Sequence, residues 1–242
     1  MMRVVVGVAV LSALVGMTAC SSPPSEPEPA DLEAAVVTTD TDIATLRRLA
    51  NQGNPEAQYL LGDRYQYGKG VVPDSTEAVA WYQRAADQGL ADGQASLAIM
   101  YELGLGVERD YAYAAALNRT AADQGHPLAQ FHLGWAYAGG RGVPQDDAQT
   151  VAWFQKAADQ GLARAQLNLG FSYRDGQGVE QDYVDALTWL NLASARAVVD
   201  LQSAYAGDRD ALAKVMTPEQ VVEAQARAAD WQAAFETRQP EP

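Results

Sequence analysis

The sequence predicts an all-α protein: an α/α solenoid of four 36-residue helix pairs, with an N-terminal half-repeat before them and a C-terminal capping helical hairpin after them. Three observations lead there. Glycine, tyrosine and aspartate recur at one spacing of 36 residues, the apolar positions of each unit follow the i, i+3, i+4, i+7 rhythm of a helix face, and glycine pairs and capping residues punctuate every unit at the same places. With 48% apolar and 20% charged residues among 242, the chain is too apolar to remain disordered.

The repeat is read directly from the residues. Gly62, Tyr65, Gly68, Gly70, Val71 and Asp74 return as Ala98, Tyr101, Gly104, Gly106, Val107 and Asp110, and twice more from Gly134 to Asp146 and from Gly170 to Asp182. Asn54-Pro55 and His126-Pro127 supply an N-cap and a first-turn proline for the first helix of their units. Gln58, Leu61, Gly62 and Tyr65 lie on one face of that helix, and the small residue at 62, 98, 134 and 170 lets the partner helix approach. The pair Gly68 and Gly70 makes the turn, because glycine takes positive φ without strain. Asp74, Asp110, Asp146 and Asp182 are expected to cap the second helix, with Glu77 or Gln149 completing a capping box. Trp81, Ala85 and Ala86 are core positions on that helix, and Gly89 ends it.

The resulting pattern, A-x-x-x-L-G-x-x-Y-x-x-G-x-G-V-x-x-D followed by W-Y-x-[KR]-A-A-x-Q-G, resembles the Sel1-like repeat, a relative of the tetratricopeptide repeat. The units run over 54–89, 90–125, 126–161 and 162–197 in a solenoid of 43–197, where Leu49-Ala50 and Gly53 form the preceding half-unit. Two departures stand out. The second unit has Leu117-Asn118 where the others have an aromatic, and Arg196-Ala197 replaces the closing Gln-Gly in the fourth, as an atypical terminal unit does. Beyond it, over 198–242, Thr217, Pro218 and Gln220 mark a helix start, and Val221, Ala224, Ala228, Trp231 and Phe235 form a stripe. Leu212 to Glu236 therefore reads as the capping hairpin, with a separate peptide-binding helix as the alternative.

The N-terminus reads differently. Arg3 precedes an apolar run from Val4 to Met17, which as a helix rises only about 21 Å against a hydrocarbon core of roughly 30 Å. Residues 1–19 are thus a signal peptide rather than a span. Met17-Thr18-Ala19-Cys20 resembles the lipobox of bacterial lipoproteins, which implies acylation of Cys20 and removal of what precedes it; ordinary secretory cleavage after Ala19 wants a small residue where Met17 stands. Ser21 and Ser22, with no aspartate after Cys20, resemble lipoproteins that a diderm bacterium sends on to its outer membrane, which implies an address facing the periplasm. Residues 20–42, rich in Pro, Ser and Glu at their start, read as a tether of up to roughly 65 Å.

Charge and residue inventory bound the function. A net charge of −14 argues against nucleic acid and anionic membrane surfaces, leaving the lipid anchor as the membrane contact. One cysteine excludes a disulfide scaffold or a cysteine-based zinc site. No metal or cofactor site is expected, since Asp146-Asp147 reads as a cap and a first-turn charge, and Gly68-x-Gly70 as a turn. His126 and His132 have no partner that spacing supplies, and Ser96, Ser172 and Ser194 sit within repeat helices, so the chain is expected not to be an enzyme.

The stripe beside the core face of each first helix lines the concave surface in tetratricopeptide-like stacks. It holds Tyr59 and Asp63, Ile99 and Glu102, Phe131 and Trp135, then Leu167, Phe171 and Arg174. Its apolar members would make a track for a protein or peptide partner; alternatively, tight curvature packs them on one another, or the tether or hairpin covers them. The resemblance implies a monomeric envelope scaffold, with peptidoglycan or polysaccharide binding as the second reading. Wall or β-lactam hydrolysis, linked to disulfide-rich members, does not carry over without cysteines in the repeats.

Overall fold

The computed structural model describes residues 37–238, and every regular element among them is helical. The half-repeat is α1 (Ile43–Asn51). The four repeats are α2 (Pro55–Tyr67) with α3 (Ser75–Asp87), α4 (Ala91–Leu103) with α5 (Tyr111–Asp123), α6 (Pro127–Gly139) with α7 (Asp147–Asp159), and α8 (Ala163–Asp175) with α9 (Tyr183–Arg196). α10 (Val199–Ala213) and α11 (Pro218–Arg238) follow, and both pack on α9. α10 begins well before the Leu212 expected as the start of the cap. Elsewhere each helix packs on its neighbours in sequence, which is the solenoid arrangement.

The expected signal segment, Cys20 and most of the expected tether lie outside the described residues. The last residues of that tether are held against the fold: Arg64 on α2 donates to the carbonyl oxygens of Thr39 (2.6 Å) and Thr41 (3.2 Å). Among the described residues no helix is long and apolar enough to cross a membrane.

The helix starts follow the expected chemistry, with one difference. Asn54 accepts from the Ala57 amide at 2.8 Å, His126 Nδ1 from the Ala129 amide at 3.1 Å, and Asp74, Asp110, Asp146 and Asp182 accept from first-turn amides of the second helices. The reciprocal half of the box at Asp74 and Asp146 is not formed. Each cap's own N–H instead goes to the carbonyl of Tyr65, Tyr101, Tyr137 or Tyr173 on the first helix, at 2.9–3.2 Å. The C-terminal carbonyls of a helix lack intrahelical donors, so this bond satisfies two orphans at once and joins the pair across its turn. The complete box forms at α11, where Thr217 and Gln220 exchange both bonds.

Two sets of glycines are dictated by contact. A Cβ at Gly62 or Gly134 would stand 2.6 Å from the ring of Tyr82 or Phe154, and one at Gly170 would stand 2.9 Å from Leu190. In the second repeat, the same register sets Ala98 opposite the smaller Asn118. The second turn glycine does more than turn. A Cβ at Gly142 would stand 2.0 Å from the Tyr111 carbonyl, and Gly106 and Gly178 meet the starts of α3 and α7 in the same way, so each turn docks on the preceding repeat.

Buried glutamines join the repeats as well. Gln58, Gln94, Gln130 and Gln166, each at most 5% exposed, donate to the carbonyls of Ala50, Ala86, Ala122 and Ala158 on the preceding helix. The first three accept in turn from Gln88, Gln124 and Gln160.

Gly70 and Gly142 separate strain from docking. Both have positive φ, at 80° and 74°, but a Cβ at Gly70 meets nothing within 4 Å. Gly70→Ala should cost about 1–2 kcal/mol from left-handed strain. Gly142→Ala should cost an additional ~1–3 kcal/mol from overpacking. Thermal melts followed by circular dichroism measure the difference, and equal melting temperatures would contradict the docking contact.

Candidate functional site

The stripe is not one continuous exposed track, because the second helix of each repeat sends a side chain up beneath it. In the first repeat that side chain is Tyr82, whose ring lies 6.0 Å from that of Tyr59 and whose hydroxyl lies 2.6 Å from both Asp63 Oδ1 and Gln66 Oε1. Burial, followed by the Asp63 charge, pushes the Tyr59 hydroxyl up to about 12. Burial also raises Asp63 above the usual carboxylate range, against the lowering effect of the Tyr82 hydrogen bond.

Asn118 takes that place in the second repeat. It is fully buried and donates to Glu102 Oε1 at 2.8 Å, while Glu102 Oε2 lies 3.2 Å from His132 Nδ1 on the next repeat. His132 therefore has a partner, as does His126, whose Nε2 lies 3.3 Å from Asp92. Both pairs join residues 30 or 34 apart, which the stacking of repeats brings together. Ile99 on the same helix is half-buried.

The third repeat divides its two aromatic stripe residues. Phe131, 8% exposed, belongs to a core cluster with Phe154, Leu169 and Trp189, so it does not line an open surface. Trp135 stays 47% exposed, its indole held edge-on by Phe154 at 5.9 Å and Phe131 at 6.4 Å. In the fourth repeat Leu167 and Phe171 are half-buried against Leu187, Leu190 and the terminal helices. Arg174 lies 4.6 Å over the Phe171 ring and pairs through two nitrogens with Asp175.

Between the second and third repeats lies a cleft of about 200 Å³. Glu102 and His132 line it with Trp135, Tyr111, Arg109 and Arg141. Its lining includes no serine, threonine or cysteine to serve as a nucleophile beside the Glu102–His132 pair. No group of three or more metal-ligating side chains occurs among the described residues.

The 36-residue helix pair, its turn glycines and its capping aspartate correspond to a known repeat, since residues 55–90, 91–126, 127–162 and 163–197 each match the Sel1 repeat. The chain belongs to the Sel1 repeat family. A Sel1 repeat protein from Oxalobacter formigenes is 40% identical, with a TM-score of 0.60, over 68% of this chain and 48% of that one. A protective antigen of uropathogenic Escherichia coli that displays an SLR fold is 29% identical, with a TM-score of 0.52, over 82% and 51%. This chain thus spans about half the length of both. The immunity protein PA5088 from Pseudomonas aeruginosa, 21% identical over 91% and 90% with a TM-score of 0.52, shares the fold. None of the functionally curated proteins matches the sequence. Sel1 repeat proteins are generally protein-interaction scaffolds and not typically enzymes.

Within this Sel1 array, sequence reasoning passed over Arg109, Tyr111, Asn118 and Arg141. Asn118 left a signal, because a polar residue stood where the other repeats carry Tyr82, Phe154 and Leu190. The arginines left none, since they lie on turns outside the helix periodicity.

The raised pKa of Asp63 has a definite sign. A carboxylate whose folded-state value lies above its unfolded value of 3.8 costs stability when ionised, and that cost disappears as pH falls through the folded value. Asp63→Asn should therefore melt above the wild type at pH 7, with the gap narrowing toward pH 4. Parallel melts of the two proteins across that range measure it, and a gap that widens on acidification would contradict the assignment.

Proposed function

We propose that the protein is a lipid-anchored interaction scaffold of the bacterial cell envelope, held at the outer membrane through Cys20 and gripping a protein or peptide partner along the stripe centred on Trp135. The observation behind the partner site is the indole itself. A tryptophan left 47% exposed forgoes much of its apolar burial, and Phe131 and Phe154 hold it in one orientation. Tryptophan, with tyrosine and arginine, is enriched among the few residues that carry most of the energy of a protein interface. The flanking chemistry varies along the array, from Tyr59 and Asp63 through Ile99 and Glu102 to Leu167, Phe171 and Arg174, which suits an extended partner read at several points. Glu102 and Arg174 already have internal partners, so Trp135 is the primary anchor.

The anchor rests on the order of Arg3, the apolar run to Met17 and the Met17-Thr18-Ala19-Cys20 motif. The acidic balance of 17 Lys+Arg against 31 Asp+Glu supports a protein partner over nucleic acid.

Two experiments test the reading. Trp135→Ala should cut recovery of the crosslinked envelope partner at least about tenfold, a loss of ~1.4 kcal/mol or more, and leave helix content unchanged. Unchanged recovery removes Trp135 from the interface. Cys20→Ser should move the protein from the membrane to the soluble fraction or leave it unprocessed, and membrane retention of a processed Cys20→Ser protein would show that the anchor is not Cys20.

A further inference from the structure

The cleft beside Trp135 has a charge arrangement that partner binding in general does not require. Arg109 leaves the turn after α4 and Arg141 the turn after α6, and both guanidinium groups lie within 6 Å of the same Tyr111 ring, at 5.8 and 5.9 Å from its centroid. Arg109 reaches the ring from two residues before it, and the docking of Gly142 on the Tyr111 carbonyl brings Arg141 there, since it seats the turn bearing Arg141 on the start of α5. The protein carries almost twice as many acidic as basic side chains, yet among the described residues neither arginine forms an ion pair. Arg109 donates one hydrogen bond, to the Tyr111 hydroxyl at 3.3 Å, and Arg141 makes no side-chain hydrogen bond among the described residues. A guanidinium has five N–H donors, so most of the donor capacity of the pair faces the cleft and solvent.

The carboxylate within the cleft forms no ion pair with either of them. Glu102 directs one oxygen to Asn118 Nδ2 and the other to His132 Nδ1, both at its inner side. A carboxylate brought beside such guanidinium groups accepts charge-assisted, two-pronged hydrogen bonds from their forks. The apolar wall is Leu103 and Trp135, both more than 45% exposed. Cofactor and drug-sized sites occupy about 300–1,000 Å³, and this cleft is about 200 Å³. Its size suits one or two side chains of a longer ligand.

We infer that this cleft recognises an acidic side chain of a partner polypeptide, its carboxylate pairing with the Arg109 and Arg141 guanidinium groups and an adjacent aromatic or aliphatic residue lying on Trp135. The inference rests on the scaffold reading and names the chemistry of the segment that the scaffold holds.

The probe is a fluorescein-labelled octapeptide with glutamates flanking a central phenylalanine, measured by anisotropy against the full chain, beside a counterpart with glutamine for each glutamate. The acidic peptide should bind the wild type at least about tenfold more tightly than it binds the Arg109→Gln/Arg141→Gln double variant. It should also bind at least about tenfold more tightly than the glutamine peptide, and weaken several-fold when salt rises from about 0.05 to about 0.3 M. Both arginines are exposed, so an unchanged melting temperature of the double variant shows that the fold is intact. Equal binding of the two peptides, or no loss in the double variant, overturns the inference. Capture of the envelope partner separates the two readings. Loss in Trp135→Ala with retention in the double variant leaves the scaffold standing and rejects acid recognition, and retention in both rejects the two together.

Discussion

One buried glutamine per repeat governs how each helix pair sits on the pair before it. An amide in that position is tolerated only when bonded, since leaving it unsatisfied costs about 1–3 kcal/mol. Gln58, Gln94, Gln130 and Gln166 meet that demand with a carbonyl eight residues back on the preceding helix, at 3.0–3.4 Å. A slip of one residue would break the bond and carry the amide off its carbonyl. Gln58, Gln94 and Gln130 also accept from Gln88, Gln124 and Gln160 thirty residues ahead, so the link is shared by both helices of a pair and by the neighbouring repeat. Apolar burial drives the stacking, and the glutamines fix its register.

The end of the array is where that link changes. Arg196 stands at the place of the closing glutamine, and Gln166 Oε1, fully buried, has no partner among the described residues. Arg196 turns instead to α11, donating to Gln232 at 2.7 Å and lying 4.1 Å over the Phe235 ring, which stacks at 4.9 Å on Trp231. Trp231 in turn meets Trp189 at 6.0 Å. One substitution thus redirects a repeat-to-repeat contact into a contact with the cap. A terminal repeat needs such a device, because its outer face would otherwise be exposed apolar surface.

Register also decides the chemistry of the stripe. With the backbone frame constant, the residue rising at 82, 118, 154 or 190 determines what its neighbours become. Tyr82 donates its hydroxyl toward Asp63, Asn118 holds Glu102 and through it His132, Phe154 carries Trp135 upright, and Leu190 packs with a half-buried Leu167 and Phe171. A single repeat frame therefore presents an acidic-aromatic end, a charged cleft and an apolar end along one protein.

By itself the sequence determined the helix pair, its length, its caps and its turns, because these depend on bonds within a few residues: Asp146 to the Gln149 amide, Asn54 to the Ala57 amide, glycine at 68 and 70. It also determined the core stripe of α11, whose Ala224 and Ala228 are buried as their spacing implies. Tertiary structure alone decided which of the stripe residues face solvent. Phe131 and Trp135 are one helical turn apart and equivalent in pattern, yet the neighbouring repeat covers the first and leaves the second open. It alone brought His132 to Glu102 and Arg141 to Tyr111, beside the sequence-local Arg109, contacts between residues 30 apart set by the stacking of one repeat on the next. Local bonds are written in local sequence, whereas exposure and cross-repeat geometry are properties of the register that the buried glutamines and docking glycines impose.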